Sequence, residues 1–532
     1  MENDEKTQVN FNAEPVEPAQ AIPAKKISQK IPMLIGIVAA VAVVVVLLFA
    51  FIGGGNSSSA EPRFVAARYA EDGTAYLLLE DGKCITINDE VFRTVITPDR
   101  KNVVVLLKAG TLYVTDKDQS KKTVVTDNGD RLIGLKDEGF LYEDSDNKAY
   151  RVSFSGGTTA ELGETNKVFF AKDTMSVVFE DGQGGIYTLP YNSSERVRVG
   201  KYEDEVELNA VSNDGVLAVW TLIEGSNKTI VLCEGDEKET LGTVYSKYSS
   251  GTGVSFTKDQ KLAVVTNYNG DQLYIKQPGK ETVTVKFNDE LSSSAVYTAD
   301  GIITKQSASK VKGIYVLVDA ENGSNLYYVT LNGEKERVLS KVSRVNFSNG
   351  NIVYLDTESN LYTAKVSGAN ISDEKKLSGD AWTMMRVTDN GSYLYYMKDC
   401  DDESGTLCCY KFGEKEAKRV ASDVSLYDGW LDYIQIGSDG KTVYFLKDVE
   451  RIKGTYTDCG NLYVWSYGKG ESEKLASEVI ENSLTSNLTT GEINKNGFVY
   501  FKFNSKTEDE ILIDAFYYNG KESVKMASEL TY

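Results

Sequence analysis

From about Glu61 to its end the chain alternates apolar and polar residues in short runs separated by Asp, Asn or Gly. Ser438-Asp439-Gly440-Lys441 leads into Thr442-Val443-Tyr444-Phe445-Leu446-Lys447, and Asn461-Leu462-Tyr463-Val464-Trp465-Ser466 follows as its partner. Asn349-Gly350-Asn351, Ile352-Val353-Tyr354-Leu355 and Asn360-Leu361-Tyr362-Thr363-Ala364 repeat the phrase. Runs of period two rich in β-branched and aromatic residues predict strands, and Asp, Asn and Gly supply the positive torsions of hairpin turns. The turn phrase occurs at Asp72-Gly73, Pro98-Asp99, Asp137-Glu138-Gly139, Lys172-Asp173, Asp214-Gly215, Lys258-Asp259, Asp300-Gly301, Asn349-Gly350, Asn390-Gly391, Asp439-Gly440 and Asn496-Gly497. An aliphatic-Tyr pair follows many of them, as at Leu112-Tyr113, Ile186-Tyr187, Leu273-Tyr274, Leu326-Tyr327, Leu361-Tyr362 and Leu462-Tyr463. Helical periodicity outside residues 31–52 is confined to the short polar stretch Glu471 to Asn482.

Self-similar strand units of about 40 residues predict four-stranded blades around an axis, each burying its two faces against its neighbours. The expected fold is therefore an all-β propeller over residues 63–532. Thr97-Pro98-Asp99-Arg100-Lys101, Ser212-Asn213-Asp214-Gly215 and Ser438-Asp439-Gly440-Lys441 resemble the Ser-Pro-Asp-Gly repeat of TolB-type propellers, though the Pro is often lost and the Gly sometimes. That resemblance implies a propeller that binds partners. The eleven phrases exceed the 4 to 8 blades usual for one ring, so some share a blade or the domain splits in two, and one ring of about eight blades, within about 6 to 10, is expected. The short interval from Asp72 to Asp99 predicts that Phe64 to Tyr69 and the next strands complete a blade begun by strands near Phe498 to Phe503 or Phe516 to Tyr518.

One segment has neither period. Ile31 to Ile52 is an uncharged apolar run, and about 20 such residues in a helix match the roughly 30 Å core of a bilayer. Lys25, Lys26 and Lys30 precede it, whereas Gly53 to Ser59 follow without charge, so residues 1–30 are expected in the cytoplasm and the bulk of the chain outside. A cleavable signal peptide is disfavoured, because its apolar core is usually about 7 to 15 residues behind a short basic stretch. Residues 1–30 hold few bulky apolar side chains and are expected to be disordered, and residues 53–62 form a linker. A single anchor with a Tyr-rich and Lys-rich propeller also resembles uncharacterised surface proteins of Gram-positive bacteria.

The formal charge of −20 belongs almost wholly to the outer part and opposes phosphate, which disfavours nucleic acid as a partner. The 532 residues contain no histidine, which removes the commonest general base, the Ser-His-Asp triad and the usual zinc sets. No metal or other cofactor is expected. A carboxylate glycosidase or lyase needs no histidine and is the alternative to a non-catalytic module. The clearest oxygen-rich cluster, Asp399, Asp401 and Glu403 in Asp399-Cys400-Asp401-Asp402-Glu403-Ser404-Gly405, resembles a Ca²⁺ loop but equally a solvated hairpin loop.

Of six cysteines, Cys84 and Cys233 lie in strand-like context as buried thiols. Cys400 and Cys459 are candidates for an inter-blade disulfide, with Cys408 as the rival partner. Cys408 and Cys409 should point to opposite faces of a strand. Trp220, Trp382 and Trp430 interrupt the repeat and are the surface aromatic candidates, whereas the repeated tyrosines should fill blade packing. Together these expectations describe a membrane-anchored outward propeller that binds a protein, peptide or wall glycan without catalysis, with a purely architectural envelope role as a further alternative.

Overall fold

The computed structural model describes residues 62–531 apart from a number of loops, the longest of which is 482–497. The apolar run 31–52, the tail before it and nearly all of the linker lie outside the described residues. Among the described residues no helix is long and apolar enough to cross a membrane.

Consecutive antiparallel strands form meanders of four: an inner strand, a second, a third and an outer one, each paired with its sequence neighbour. Five separate four-stranded sheets span 91–126, 129–164, 168–201, 205–243 and 252–286. An eight-stranded sheet spans 297–378, and two meanders merge in it because strand Lys335–Ser348 serves as the outer strand of one and the inner strand of the next. The largest sheet covers 381–531, where meanders are joined by the single bridges Val424↔Lys447 and Val479↔Lys502. The first sheet, Phe64–Tyr69, Ala75–Leu79 and Cys84–Ile87, has three strands. The stretch read as weakly helical is instead the outer strand Glu473–Ile480. Its inward residues fall out of phase because Glu478 takes a φ of 58° and turns Val479 and Ile480 into the core.

Two local devices build each meander. At the turn from inner to second strand a Ser or Thr caps the loop: Thr97 Oγ1 donates to Asp99 Oδ1 at 2.6 Å, Thr257 to Asp259 at 2.8 Å and Thr388 to Asn390 at 2.7 Å. The same hydroxyls accept the N–H of the residue that opens the second strand, as Thr388 does from Tyr393 at 3.0 Å. One residue after the Asp or Asn the chain enters the left-handed region, with Gly391 at φ 64°, Arg100 at 59° and Gln260 at 56°. Asx and hydroxyl bonding hold that conformation even without glycine, which is why the phrase loses its Gly yet keeps its shape.

The second device is a corner between outer and inner strands. Ala421-Ser422-Asp423-Val424, Ala476-Ser477-Glu478-Val479 and Ala527-Ser528-Glu529-Leu530 share it, and Asp423, Glu478 and Glu529 have φ of 53°, 58° and 55°. Lys341 at 57° makes the same bend inside Lys335–Ser348. Each bend rotates the chain so that the following apolar residue enters the core of the next meander: Val342, Val424, Val479 and Leu530 are all fully buried.

Packing then follows from the two-residue period. The second strand is enclosed on both faces, so its alternate side chains go to different neighbours. Val103 and Val105 share a core with Phe64 and Leu77 of the preceding sheet, whereas Val104 and Leu106 share one with Phe140 and Tyr142 of the following sheet. Leu394 and Tyr396 likewise face backward to Val353 and Leu361, while Tyr395 and Met397 face forward to Val443 and Phe445. The cores continue meander by meander to the last, where Val499, Phe501, Ile513 and Leu530 pack on Leu78 of the first sheet, beside Tyr76 and Cys84. The series thus returns to its start. The first and last sheets meet face to face; among the described residues no strand of one pairs with a strand of the other, in contrast to the shared blade expected. The reason is that Asp72-Gly73 is not the inner turn: it precedes Ala75-Tyr76 as Ser359-Asn360 precedes Leu361-Tyr362, so it connects second and third strands.

Candidate binding face

Turns from inner to second strand and from third to outer strand share one rim of the meanders; hairpins from second to third strand and the corners share the other. On the turn rim, neighbouring loops are joined: Asn349 Nδ2 donates to the Asn390 carbonyl at 2.9 Å, and Asp259 Oδ1 accepts from Ala308 N–H at 3.0 Å. The hairpin rim differs along the chain. Hairpins of early meanders are tight, as at Gly110, where Leu107 N–H bonds to the Thr111 carbonyl. Toward the C-terminus the strands lengthen to Thr442–Arg451 and Asp458–Ser466, then Phe498–Lys506 and Ile511–Tyr518, so their hairpins stand up from the rim.

The 452–457 tip carries Tyr456, which is 91% exposed. Ile452 is buried beneath it in the core shared with Val499 and Leu530, and its N–H bonds to the Thr457 carbonyl at 2.9 Å. Lys506 Nζ reaches the Gly454 carbonyl at 2.6 Å and ties this hairpin to the next. Tyr456 thus stands exposed on a tip that is fixed at its base.

Below the tip lies a polar cluster. Arg451 Nε bonds to Asp458 Oδ1 at 3.0 Å; Tyr433 Oη lies 3.4 Å from Asp458 Oδ2 and 3.2 Å from Glu481 Oε2; and Asp458 N–H bonds to Glu481 Oε1 at 3.3 Å. Burial, with Asp458 beside it, pushes the Glu481 carboxyl up from its ordinary value, against the hydrogen bonds it accepts. The Tyr433 hydroxyl is pushed up chiefly by burial, then by the two acids. This is a carboxylate pair with one phenol between, but Asp458 is only 6% exposed. The described cavity nearby, lined by Arg386, Tyr395, Tyr396, Leu407, Ile434 and Ile436, contains neither acid. The cluster therefore buttresses the hairpin, with Asp458 buried and Glu481 half-buried.

The acidic loop on the same rim is held by its own backbone. Asp401 Oδ1 accepts from the N–H groups of Glu403 at 2.9 Å and Ser404 at 2.7 Å, and these bonds lower its pKa. Asp399 pairs with Lys398 at 2.9 Å. Glu403 belongs to the loop through its carbonyl, which accepts from Leu426 N–H at 2.8 Å. Asp401 thus spends its oxygen on the turn, and among the described residues no group of three or more metal-binding side chains occurs.

All six cysteines are free thiols. Cys400 packs against the core of Tyr395 and Phe445, Cys459 against that of Val499 and Ile513, and Cys408 against that of Leu394 and Tyr396. The bridges expected from Cys400 to Cys459 or Cys408 are absent because these side chains serve different cores. Cys408 and Cys409 do point to opposite faces, and burial pushes them up to about 11 and about 12. Cys233 is fully buried, while Cys84 is half-buried at the junction of first and last sheets.

Trp220 is not a surface residue: it is 0% exposed on second strand Leu217–Glu224, between Val178 and Cys233. Trp382, on inner strand Ala381–Val387, is exposed, and Trp430 lies outside the described residues. Tyr456 was invisible to a search for repeat-breaking tryptophans; the signal was the unusually long gap between Phe445 and Leu462.

No protein-family profile matches the chain, and no curated protein matches it. Among solved structures it is similar to the tricorn protease at 12% identity, covering 88% of this chain and 59% of that one, with a TM-score of 0.29. It is similar to a putative TolB from Agrobacterium tumefaciens at 10% identity, covering 47% of this chain and 87% of that one (TM-score 0.25), and to the WD40 domain of SCAP from fission yeast at 8%, covering 66% and 92% (TM-score 0.28). Similarity of this degree assigns no activity, and the fold rests on the sheet order and shared cores above.

Proposed function

We propose that the chain is a membrane-anchored, non-catalytic binding module: a ring of eleven blades whose erect hairpins hold a protein, peptide or glycan outside the cell. The succession of shared cores, each joining one meander to the next and the last to the first, supports this number in place of the eight expected. The run 31–52 supplies the anchor. Strand Phe64–Tyr69 begins on the turn rim, where Phe64 N–H bonds to the Arg100 carbonyl at 2.8 Å, so the chain enters the blades on the rim opposite the erect hairpins.

The observation that carries the reading is Tyr456, bare at the tip of a hairpin anchored by Ile452, Lys506 and the Arg451–Asp458 pair. The carboxylate-enzyme alternative has the Asp458–Glu481 pair in its favour, yet Asp458 is buried and bonded to Arg451. To test the assignment, a photo-crosslinking side chain is placed at Tyr456 or at Asp99 in the full chain in native membranes. Adducts should form at 456 and fail at 99. Equal yields at both positions, or none at 456, would overturn the binding face.

A further inference from the structure

Charge is segregated between the two rims. Except for Lys108 and Lys453, no base occurs in a segment that joins a second strand to a third, and every such segment but 108–111, 225–226 and 452–457 holds at least one acid. The segments 399–403 and 507–510 are the richest, reading Asp-Cys-Asp-Asp-Glu and Thr-Glu-Asp-Glu. Most turns of the opposite rim instead set acids beside bases, as Asp99 beside Arg100 and Lys101 or Asp259 beside Lys258 and Lys261. Much of the formal charge of −20 is therefore gathered on the hairpin rim.

Exposed aromatic rings are gathered there too. Phe92, Trp382 and Tyr456 are the aromatic side chains that stand exposed among the described residues. Phe92 follows the corner at Glu90 and Trp382 the connection at Gly379-Asp380, each at a register shift of its inner strand. The shift takes the ring out of the alternation that buries Val91 and Ala381 just before it. Trp382 and Tyr456 lie along one arc of the largest sheet. Asp399 N–H bonds to the Asp380 carbonyl at 3.2 Å, which joins segment 399–403 to the connection before Trp382. The Lys506 bond to Gly454 joins 452–457 to the strand that leads into 507–510. Bases on this arc are mostly engaged: Lys398 with Asp399 at 2.9 Å, Arg451 with Asp458 at 3.0 Å, and Lys506 with a carbonyl. Glu403 and Glu450 stand exposed, and Lys453 is the opposing charge.

We propose that this arc docks a cationic polypeptide segment, rich in arginine or lysine, whose side chains cover Trp382 and Tyr456 and carry their charges toward Glu403 and Glu450. A cation over an aromatic face is attracted by the ring quadrupole, and its aliphatic stem buries apolar surface. The acidic hairpins steer the encounter from a distance, an effect that salt weakens. An anionic glycan or a phosphate-bearing polymer meets the opposite field. The inference rests on the binding-module reading and narrows its ligand to one class.

The test uses the full chain in nanodiscs of zwitterionic lipid and two fluorescent peptides, repeats of Gly-Ser-Arg and repeats of Gly-Ser-Glu. The arginine peptide should bind and the glutamate peptide should not. Trp382→Ala with Tyr456→Ala, and separately Glu403→Gln with Glu450→Gln, should each weaken arginine-peptide binding at least tenfold, whereas Trp382→Phe with Tyr456→Phe keeps both rings and most of the affinity. Glu471→Gln with Glu522→Gln removes as much charge from the turn rim and should change binding less than twofold. No binding of the arginine peptide, binding of both peptides, or equal losses from the two glutamate pairs would each overturn the proposal, the last because it means attraction to net charge alone. Adducts of a photo-crosslinker at position 456 should fade in about 0.5 M salt. If they persist there and the arginine peptide fails, the binding face stands and its occupant is an uncharged glycan or apolar peptide; if the peptide binds and no adduct forms, the affinity for cations stands and the reading of the face in membranes falls.

Discussion

Tyr433 places one hydroxyl between two carboxylates, those of Asp458 and Glu481. The Glu481 carboxyl is raised from its ordinary value by burial and by Asp458. The folded chain therefore binds a proton at Glu481 more tightly than the unfolded chain does. That stabilisation is complete below the ordinary carboxylate value of 4.5 and is lost as pH rises through the higher folded-state value. Glu481→Gln should match the parent in urea midpoint at pH 4, exceed it at neutral pH and flatten the slope between. An unchanged slope would remove Glu481 from the cluster's proton balance. At this scale the sequence was informative where contacts are cross-strand: the recurring tyrosine sits opposite a second-strand aromatic, as in the stacked pairs Tyr354–Tyr362 and Phe445–Tyr463, with centroids 5.0 and 5.8 Å apart. Trp220, Cys400 and Cys459 were not legible, since the core each side chain joins depends on a neighbour about 40 residues away in the repeat.

Among elements, the inner turn was readable because its hydroxyl, Asp or Asn and following left-handed residue are each chosen for backbone reasons. The corner was not recognised, although Ala-Ser-Asp/Glu-Val/Leu recurs three times, because a charged residue at positive φ carries no Gly or Asn to betray it. An L residue in this conformation costs about 1 to 2 kcal/mol, more when β-branched. Lys341→Gly should therefore leave stability level or raise it by about 1 kcal/mol, whereas Lys341→Val should lower it by about 1 to 2 kcal/mol, both as urea midpoints with an unchanged slope. The same ordering is expected at Glu478, with φ 58°. Equal effects of Gly and Val would mean that the bend is not held at that residue.

For the molecule as a whole, the repetition and the meeting of first and last strands were legible in the sequence but the mode of meeting was not, because one misplaced phrase at Asp72 suggested a shared blade where the first and last sheets pack face to face. Closure can be tested at a single side chain. Leu78 and Leu106 are both almost wholly buried, one between first and last sheets and the other between consecutive sheets. Truncating a buried leucine to alanine typically costs about 2 to 5 kcal/mol, through lost transfer energy and the cavity left behind. If the seam is packed as the internal interfaces are, Leu78→Ala should destabilise the chain about as much as Leu106→Ala, and Leu530→Ala should add little to Leu78→Ala because both line one core. If the first and last sheets separate in solution, Leu78 becomes an exposed residue, its truncation costs under about 0.5 kcal/mol, and the two substitutions no longer couple. Urea unfolding of the double-mutant cycle thus distinguishes a closed ring from an open arc, and hydrogen exchange at 75–79 reports the same difference locally, since slow exchange there requires the last sheet to stay in place.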